Sequence, residues 1–252
     1  MKPFLLLGTR AEDAAADNEY EAFLGFTGLE ESLLHRMRLE RRPLGPVDLG
    51  DWSGVFLGGG PFNASDPDKA KSAVQRRVET ELHQLLDEVV ARDFPFLGAC
   101  YGIGIVGTHR GGTVDRTYAE PIGRVSVSLT PEGRVDPLLA DLPGTFDAFV
   151  GHKEAVRDLP RGAVRLASSP RCPVQAFRVG ANVYATQFHP ELDIAGLCTR
   201  IEVYKHAGYF DPSEAGALKE MARASHVFEP PKILSRFVQR YAAPEACRER
   251  SP

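Results

Sequence analysis

The sequence contains few cysteines: Cys100, Cys172, Cys198 and Cys247. No two of them form a C-x-x-C pair, and none lies in a His/Cys cluster with the spacing of a zinc site. This pattern argues against a structural metal and against a disulfide framework. We therefore predict a protein without metal or other cofactor, with reduced thiols and a cytoplasmic localisation.

Long apolar runs and an excess of positive charge are also missing. No apolar run approaches the ~20 residues needed to cross a bilayer. Acidic residues follow the short run FLLLG near the N-terminus at once, so this run predicts a first strand and not a signal peptide. The chain has 30 Lys and Arg against 34 Asp and Glu, a formal net charge of −4. We expect neither a membrane nor a nucleic-acid partner.

Strand and helix patterns alternate through the first hundred residues. Short apolar runs at 4–9, 54–57 and 95–99 predict buried strands, and residues 35–40 alternate as a half-exposed strand does. Apolar residues at spacings of three and four predict a helix over 68–92. Such an alternation with short connections is typical of a doubly wound, mostly parallel α/β sheet.

The second half of the chain has a different pattern. Five short strand-like runs follow one another, of which VSVSLT is the first and NVYATQF the last. Few helical patterns separate them, which predicts additional antiparallel strands. Helical patterns return from Asp193. At 252 residues, and with no linker or repeat, the chain is predicted to be a single domain over 1–243 with a helical part at 193–243 and a disordered tail at 244–252.

The stretch GACYGIGIVG at 98–107 is compatible with two kinds of site. Its G-x-G-x-x-G spacing occurs in dinucleotide-binding turns, but that fingerprint follows the first strand and has an acidic residue ~20 positions on. Here the stretch follows the fourth predicted strand, and no strand ends in Asp or Glu at that distance. The glycines at 58–60 are likewise not followed by G-K-[ST], so a nucleotide P-loop is excluded.

The same stretch also places a cysteine where a strand turns into a helix. Cys100 follows PFLGA, and a helix N-terminus favours a thiolate. Gly98 and Gly102 let strand and helix backbones approach without a Cβ clash. Taken alone, this pattern fits a nucleophile on a strained elbow equally as well as a small buried hydrophobic cysteine.

A candidate base follows in the segment QFHPE at 187–191. His189 comes at the end of a predicted strand, and the proline after it keeps it out of helical conformation. Glu191 can reach back to one imidazole nitrogen while the other nitrogen faces a thiol. Alone, the segment could be an ordinary surface turn. Together with the elbow it predicts a nucleophile, a base and an orienting group at the carboxyl edge of the sheet.

Backbone amides for an oxyanion hole are available at the same edge. The third predicted strand ends in GGGP, so Gly59 and Gly60 can expose amides that no side chain obstructs. The amide of Tyr101, directly after the cysteine, is the second predicted donor. These elements are far apart in sequence but meet where open α/β sheets bind ligands.

These segments resemble the class I glutamine amidotransferases. The matching residues are GGGP at 58–61, PFLGACYG at 95–102, GHKEAV at 151–156 and ATQFHPE at 185–191. Their order and spacing fit over roughly residues 1–205. Within the family the similarity is greatest to the amidotransferase domain of GMP synthases, without a synthetase domain. The resemblance implies a flavodoxin-like α/β sheet, mostly parallel and doubly wound, with additional antiparallel strands.

The resemblance also implies the chemistry and the role of each residue. Cys100 would attack the side-chain amide of glutamine, His189 would act as general base and then acid, and Glu191 would orient the imidazole. Ammonia would leave, and water would hydrolyse the γ-glutamyl thioester. Since no synthetase domain is recognised, a separate synthetase subunit is expected to carry the ammonia acceptor. We also predict a homodimer.

One position departs from the family pattern. The family usually has x-G-x-Q after the cysteine, with the glutamine holding the α-amino and α-carboxylate groups of the substrate, and this chain has Gly104 there. Another γ-glutamyl compound is therefore an alternative substrate to glutamine. His152, Tyr118 and Glu120 are further candidate substrate contacts, although His152 fits a strand-end surface histidine as well.

Two other functions fit the same residues. A γ-glutamyl peptidase or hydrolase would use the same thioester with water as acceptor, and the glycine at 104 favours it. A non-catalytic regulatory module on the same scaffold is the third hypothesis. The intact set of Cys100, His189 and Glu191 argues against it, because a binding module has no physical need for all three.

Overall fold

The computed structural model describes residues 1–242, so the predicted tail at 244–252 lies outside the described residues. Within residues 1–242 the chain forms eleven strands and seven helices. The strands are β1 (Phe4–Gly8), β2 (Leu34–Arg38), β3 (Gly54–Leu57), β4 (Phe96–Ala99), β5 (Thr113–Asp115), β6 (Glu120–Leu129), β7 (Thr145–His152), β8 (Ala155–Asp158), β9 (Val164–Ser168), β10 (Ala176–Val179) and β11 (Val183–Thr186). The helices are α1 (Asp13–Thr27), α2 (Ala73–Ala91), α3 (Tyr101–His109), α4 (Pro131–Arg134), α5 (Ile194–Val203), α6 (Ala215–Arg223) and α7 (Pro231–Tyr241).

Nine strands form one sheet in the order β2-β1-β3-β4-β11-β10-β9-β6-β7. The five strands from β2 to β11 pair in parallel, and the pairs from β11 to β7 are antiparallel. A second, two-stranded sheet pairs β5 with β8. The predicted fold class, a mostly parallel doubly wound sheet with additional antiparallel strands, is confirmed.

The central strands β1, β3, β4 and β11 are buried on both faces, which explains their continuous apolar runs. Alternate residues of β1 point to opposite sides: Phe4 and Leu6 pack with α1 and α7, and Leu5 and Leu7 pack with α2 and α3. A smaller apolar cluster joins α5 and α6 to the end of β7. No helix formed by residues 1–242 has the length and apolarity of a membrane span.

The structure differs from the sequence prediction mainly at element ends and in the second sheet. The helix predicted over 68–92 begins only at Ala73, because the Ser72 side chain accepts a hydrogen bond from the Gln75 amide and caps it there. Residues 68–70 form a single 3₁₀ turn instead. The sheet of β5 and β8 was not predicted, since strands of three and four residues carry little periodic signal.

The order of the strands creates a crevice at their carboxyl ends. The chain leaves β1 toward β2 on one side and returns to β3 on the other, so the winding direction changes beside β1. The neighbouring strands β1, β3, β4 and β11 all end at this edge. The segments that follow them carry Arg10, Gly58 to Gly60, Cys100 and His189. Helix α5 packs against α1 and closes the crevice from the C-terminal part of the chain.

Candidate active site

Cys100 lies on a strained turn between β4 and α3. Its φ of 51° and ψ of −92° are unusual for a residue with a side chain, and conformations of this kind cost about 1–3 kcal/mol. The Cys100 amide donates a 2.8 Å hydrogen bond to the carbonyl of Thr186, which ties the turn to β11. A Cβ on Gly98 would lie 3.0 Å from the Gly102 backbone, so the close approach of strand and helix requires glycine.

Cys100 is partly exposed in the wall of a cleft of about 470 Å³. The polar side chains that share this wall with it are Arg10, His189, Arg200, Tyr204 and Tyr209. Among residues 1–242, no hydrogen bond joins the Cys100 Sγ to His189. Catalytic hydrogen bonds are often long without substrate and tighten in the complex, so the missing bond does not rule out the pair. Both side chains line the same cleft.

A carboxylate and a guanidinium hold His189 from behind. His189 Nδ1 lies 2.8 Å from Glu191 Oε1, and Arg200 Nη2 donates to the same oxygen over 2.9 Å. Arg200 Nη1 is also 3.1 Å from His189 Nδ1. The Nδ1 of His189 either donates a hydrogen bond to Glu191 or accepts one from Arg200. We assign the proton to Nδ1 because the carboxylate can only accept, and Arg200 Nη1 then makes no hydrogen bond to this nitrogen. This tautomer leaves the lone pair of Nε2 available to accept a proton.

The charges around the pair favour neutral His189 beside ionised Glu191. Burial lowers the pKa of His189, and the Glu191 carboxylate opposes this only in part. Burial alone would raise the pKa of Glu191, but the hydrogen bond from His189 and the positive charge of Arg200 hold that pKa well below its usual range. At neutral pH the imidazole is therefore a free base and the carboxylate keeps its orientation.

These shifts predict how activity depends on pH. The pKa of His189 is below its ordinary value of 6.5, so the imidazole is mainly neutral at neutral pH. We expect the acid limb of kcat/KM to have its midpoint below 6.5. The measurement is kcat/KM for glutamine hydrolysis between about pH 4.5 and 8.5. An acid limb centred above the ordinary histidine pKa would contradict the assignment of His189 as the base.

Burial acts against the thiolate form of Cys100. Loss of solvation in the cleft raises the pKa of Cys100 to about 12, although the positive charge of Arg10 acts in the opposite direction. The sequence pattern predicts a thiolate favoured by the helix N-terminus, and loss of solvation opposes that effect. The sulfur anion must therefore form by proton transfer to a base during attack.

Gly59, in the glycine run after β3, lies against the imidazole of His189 and the guanidinium of Arg10. A Cβ on Gly59 would come within 2.5 Å of His189 Cε1 and 3.0 Å of Arg10 Nη2. Gly60 lines the cleft itself, and the Tyr101 ring is buried against Phe62 with centroids 5.8 Å apart. Their predicted role as oxyanion-hole amides stays a prediction, and the structure places all three beside the cleft.

Replacement of Gly59 by alanine tests how tightly this wall is fitted. We expect Gly59→Ala to lower kcat/KM by about 100-fold or more, because the new methyl group displaces the His189 ring and a 1 Å displacement of a catalytic group has that effect. Gly25→Ala is the control, since Gly25 lies in α1 with nothing within 4 Å of its Cβ position. Equal activity of the two variants would show that Gly59 does not adjoin the reacting groups.

Gly104 is buried in α3, and another residue occupies the space of its missing side chain. A Cβ at this position would lie 2.9 Å from Glu154 Oε1. The two oxygens of Glu154 accept 2.7 Å hydrogen bonds from the amides of Ala64 and Ser65. Glu154, between β7 and β8, thus ties this turn to the loop after β3 and lies beside α3. A glutamine at position 104 would require this carboxylate to move, so substrate recognition here needs groups other than a side chain at 104.

The three remaining candidate substrate contacts do not line the Cys100 cleft. Glu120 and His152 line a neighbouring cleft of about 730 Å³, which shares Ile122, Gly151 and Tyr209 with the first. Tyr118 lies half-buried in the turn between β5 and β6, outside both clefts. Their role in substrate binding remains a prediction, and only a substrate that extends into the second cleft would reach Glu120 and His152.

Glu120, His152 and Cys172 form a second group of nucleophile, imidazole and carboxylate. Their donor atoms lie within 4.8 Å of one another, which makes them the candidate metal ligands among residues 1–242. However, His152 Nδ1 lies 2.8 Å from the Glu154 carbonyl and Nε2 lies 3.1 Å from Glu120 Oε2. Both nitrogens are thus already bonded, and neither is left to activate the fully buried Cys172. The geometry favours a hydrogen-bonded core group and not a second active site.

Five polar residues at or directly behind the cleft were not predicted from the sequence: Arg10, Glu19, Arg200, Tyr204 and Tyr209. Arg10 lies just after β1, at the carboxyl edge of the sheet. This position is the sequence signal that could have identified it as a site residue. Glu19 and Arg200 lie on the buried faces of α1 and α5. Helical spacing alone predicts apolar residues there, and it does not show that two helices from opposite ends of the chain meet.

Comparison with known proteins gives a consistent result. A family model described as glutamine amidotransferase class-I matches residues 38–195, which is more than half of the chain. The chain is 30% identical over 141 residues to a GMP synthase [glutamine-hydrolyzing] of Nitratiruptor sp.. It is 31% identical over 140 residues to one subunit of the GMP synthase [glutamine-hydrolyzing] of Methanocaldococcus jannaschii. Each match covers 55% of this chain but only 25% and 64% of the respective relative.

Two solved structures have a similar fold. A glutamine amidotransferase from Thermotoga maritima superposes with a TM-score of 0.71 at 23% identity, covering 95% of this chain and 99% of the other. A glutamine amido transferase from Methylobacillus flagellatus has a TM-score of 0.69 at 18% identity, with 95% coverage of both chains. At these identities the similarity concerns the fold, which extends over nearly the whole chain.

Proposed function

Because the chain belongs to the class I glutamine amidotransferase family, we propose that it hydrolyses the side-chain amide of glutamine at Cys100. The observation that carries the proposal is the shared cleft: the elbow cysteine and His189 line it together, and Glu191 holds the far side of the imidazole. In this proposal the three residues act as nucleophile, base and orienting group. The glutamine-hydrolysing relatives support it.

The proposed reaction has two halves that balance. In the first, the Cys100 proton passes to His189 Nε2, the sulfur bonds to the amide carbon, and the C–N bond breaks as the imidazolium returns the proton to the departing nitrogen. Ammonia leaves and a γ-glutamyl thioester remains. In the second, His189 takes a proton from water, the hydroxyl bonds to the carbonyl carbon, and the C–S bond breaks to give glutamate and the thiol.

Amides near Cys100 are proposed to bind the oxygen that becomes negative in each half. Gly59, Gly60 and Tyr101 are the proposed donors, on the loop after β3 and at the start of α3. Removing one such donor in other enzymes costs about 10²- to 10³-fold in kcat. A backbone amide cannot be removed by substitution. The Gly59→Ala variant therefore tests the role of this loop indirectly, because the added methyl group would occupy space beside His189.

The experiment that tests the proposal is a glutaminase assay of the purified chain. Glutamate and ammonia are measured from the same reaction with free glutamine, with asparagine as a control amide one methylene shorter. We expect equal amounts of both products from glutamine and far less from asparagine. Absence of hydrolysis of both glutamine and γ-glutamyl peptides, by a folded chain with or without a synthetase partner, would contradict the proposal.

A γ-glutamyl peptidase or hydrolase is the second candidate, and one observation favours it. Glu154 fills the space beside Gly104, so the family's side chain for the α-groups of free glutamine has no counterpart at that position. The neighbouring cleft with Glu120 and His152 could receive a larger leaving group. A kcat/KM for a γ-glutamyl dipeptide about 10-fold or more above that for glutamine would favour this candidate.

The acceptor and the assembly are further parts of the proposal. The Methanocaldococcus jannaschii relative is named as one subunit of GMP synthase, which supports a separate synthetase chain that receives the ammonia. The organisation as one domain over 1–243, the cytoplasmic localisation and a homodimer also stay proposals. A regulatory module without activity would be indicated by glutamine binding without turnover.

A further inference from the structure

Arg10 is a buried cation in the cleft that the proposed reaction does not yet use. Its side chain is 5% exposed and lines the same cleft as Cys100. Nε donates to Glu19 Oε1 over 2.9 Å, and Nη1 donates to the Tyr204 hydroxyl over 3.1 Å. These two bonds fix the plane of the guanidinium, because the fork is rigid.

The third nitrogen of the fork lies at the wall that Gly59 and His189 form. Nη2 would lie 3.0 Å from a Cβ on Gly59, and His189 Cε1 lies on the same side of that glycine. Among the hydrogen bonds within residues 1–242, none uses Nη2. The Nη2 group of Arg10 therefore has hydrogen atoms available at the wall that His189 and Gly59 form.

The charges around the sulfur show why this end matters. The ionisable groups that line the cleft with Cys100 are Arg10, His189, Arg200, Tyr204 and Tyr209. Glu154 and Glu191 act on the thiol from outside the cleft wall, and Glu19 lies behind Arg10. The carboxylates of Glu191 and Glu154 raise the pKa of Cys100, and Arg10 lowers it more than Arg200 does. Arg200 forms an ion pair with Glu191 behind the imidazole. Arg10 is therefore the cation with the larger electrostatic effect on the Cys100 thiol.

We propose that Arg10 is the electrostatic partner of the Cys100 sulfur, with Nη2 stabilising the anion that forms when the proton leaves for His189. This inference rests on the proposed function, because that function makes Cys100 the nucleophile. A guanidinium suits the role since it stays charged in a buried site and bonds to anions strongly. Glu19 and Tyr204 are then positioning residues, which hold the fork so that Nη2 faces the cleft.

The test measures the reactivity of the thiol without substrate. The rate of Cys100 alkylation by iodoacetamide is followed by mass spectrometry of the Cys100 peptide between about pH 6 and 10. We expect Arg10→Gln to slow alkylation at about pH 8 by about 10-fold or more, with its pH dependence displaced upward by about one unit or more. Arg10→Lys keeps the charge and should lose less than about 3-fold.

Two further variants separate this role from a structural one. Arg10→Gln leaves Glu19 with only the 3.4 Å contact to Arg200, so the double variant with Glu19→Gln removes the unpaired charge and protects the fold. It should be alkylated as slowly as Arg10→Gln. Arg178→Gln removes a guanidinium paired with buried Asp136 outside the cleft and should leave the rate unchanged.

The outcomes distinguish this inference from the proposed function. Alkylation of both Arg10→Gln and the double variant at the unchanged rate and pH dependence would overturn the role of Arg10, even if the protein hydrolyses glutamine. Slowed alkylation in both, with Arg178→Gln unaffected, supports the role even if no hydrolysis is found. In that second case glutamine hydrolysis is not supported, but the electrostatic effect of Arg10 on the Cys100 sulfur is.

Discussion

Replacement of Cys100 by alanine is expected to lower glutamine hydrolysis by at least about 10⁴-fold. No other side chain on the cleft wall can form a thioester, and loss of the nucleophile from a catalytic triad has effects of this size or larger. Alanine keeps the Cβ and meets the same backbone strain at φ 51°, so the fold should be retained. The measurements are kcat for ammonia release and the thermal unfolding midpoint of the same preparation.

Cys172→Ala is the matched control for this prediction. Cys172 is also near an imidazole and a carboxylate, but it is fully buried and both nitrogens of His152 are already bonded. Its loss should cost stability through a small cavity and leave kcat unchanged. Inactive Cys172→Ala beside active Cys100→Ala would move the nucleophile to the second group and overturn the assignment.

Glu191→Gln is expected to have the second largest effect, a loss of about 10²- to 10⁴-fold in kcat. The amide can present its NH₂ to Nδ1 and so stabilise the tautomer that carries its proton on Nε2, which cannot act as a base. Because the Glu191 carboxylate raises the pKa of His189, its loss should also displace the acid limb of the pH profile to lower pH. KM should change little, since Glu191 lies behind the imidazole and not on the cleft wall.

Asp136→Asn controls for the loss of a buried carboxylate. Asp136 is 3% exposed and pairs with Arg178 over 3.1 Å, away from the cleft. Leaving a partly buried guanidinium without its partner destabilises a protein, so both variants should unfold at lower temperature. Only Glu191→Gln should lose activity per folded molecule. A similar loss of kcat in Asp136→Asn would mean that the effect of Glu191→Gln reflects general destabilisation.

The alternating patterns predicted the parallel part of the fold because its strands and helices are buried in a regular way. Phe4 to Leu7 are all buried and carry the strand signal directly, and the residues of α2 repeat with helical spacing. The sheet of β5 and β8 escaped prediction since its strands have only three and four residues and pair across a long separation in sequence. Pairings of that kind leave no local pattern.

Local chemistry predicted one part of the site, and long-range packing determines another. Cys100 stands out because the glycines around it let strand and helix approach closely. His189 stands out because the proline after it restricts its backbone. Arg10, Glu19 and Arg200 have no such neighbours. They meet only because α1 and α5, from opposite ends of the chain, pack together beside β1. The sequence also indicated the helix N-terminus that favours a thiolate, but the loss of solvation that opposes it depends on the folded cleft.

The identity of the reactive thiol can be measured with a diazo-ketone analogue of glutamine, which alkylates a nucleophile that has bound it as substrate. After incubation, mass spectrometry of the peptides locates the adduct among Cys100, Cys172, Cys198 and Cys247. We expect one adduct, on Cys100, which forms more slowly in the presence of glutamine and in step with the loss of ammonia release. Equal labelling of all four cysteines, or an adduct on another cysteine that accompanies inactivation, would contradict a nucleophile at the end of β4.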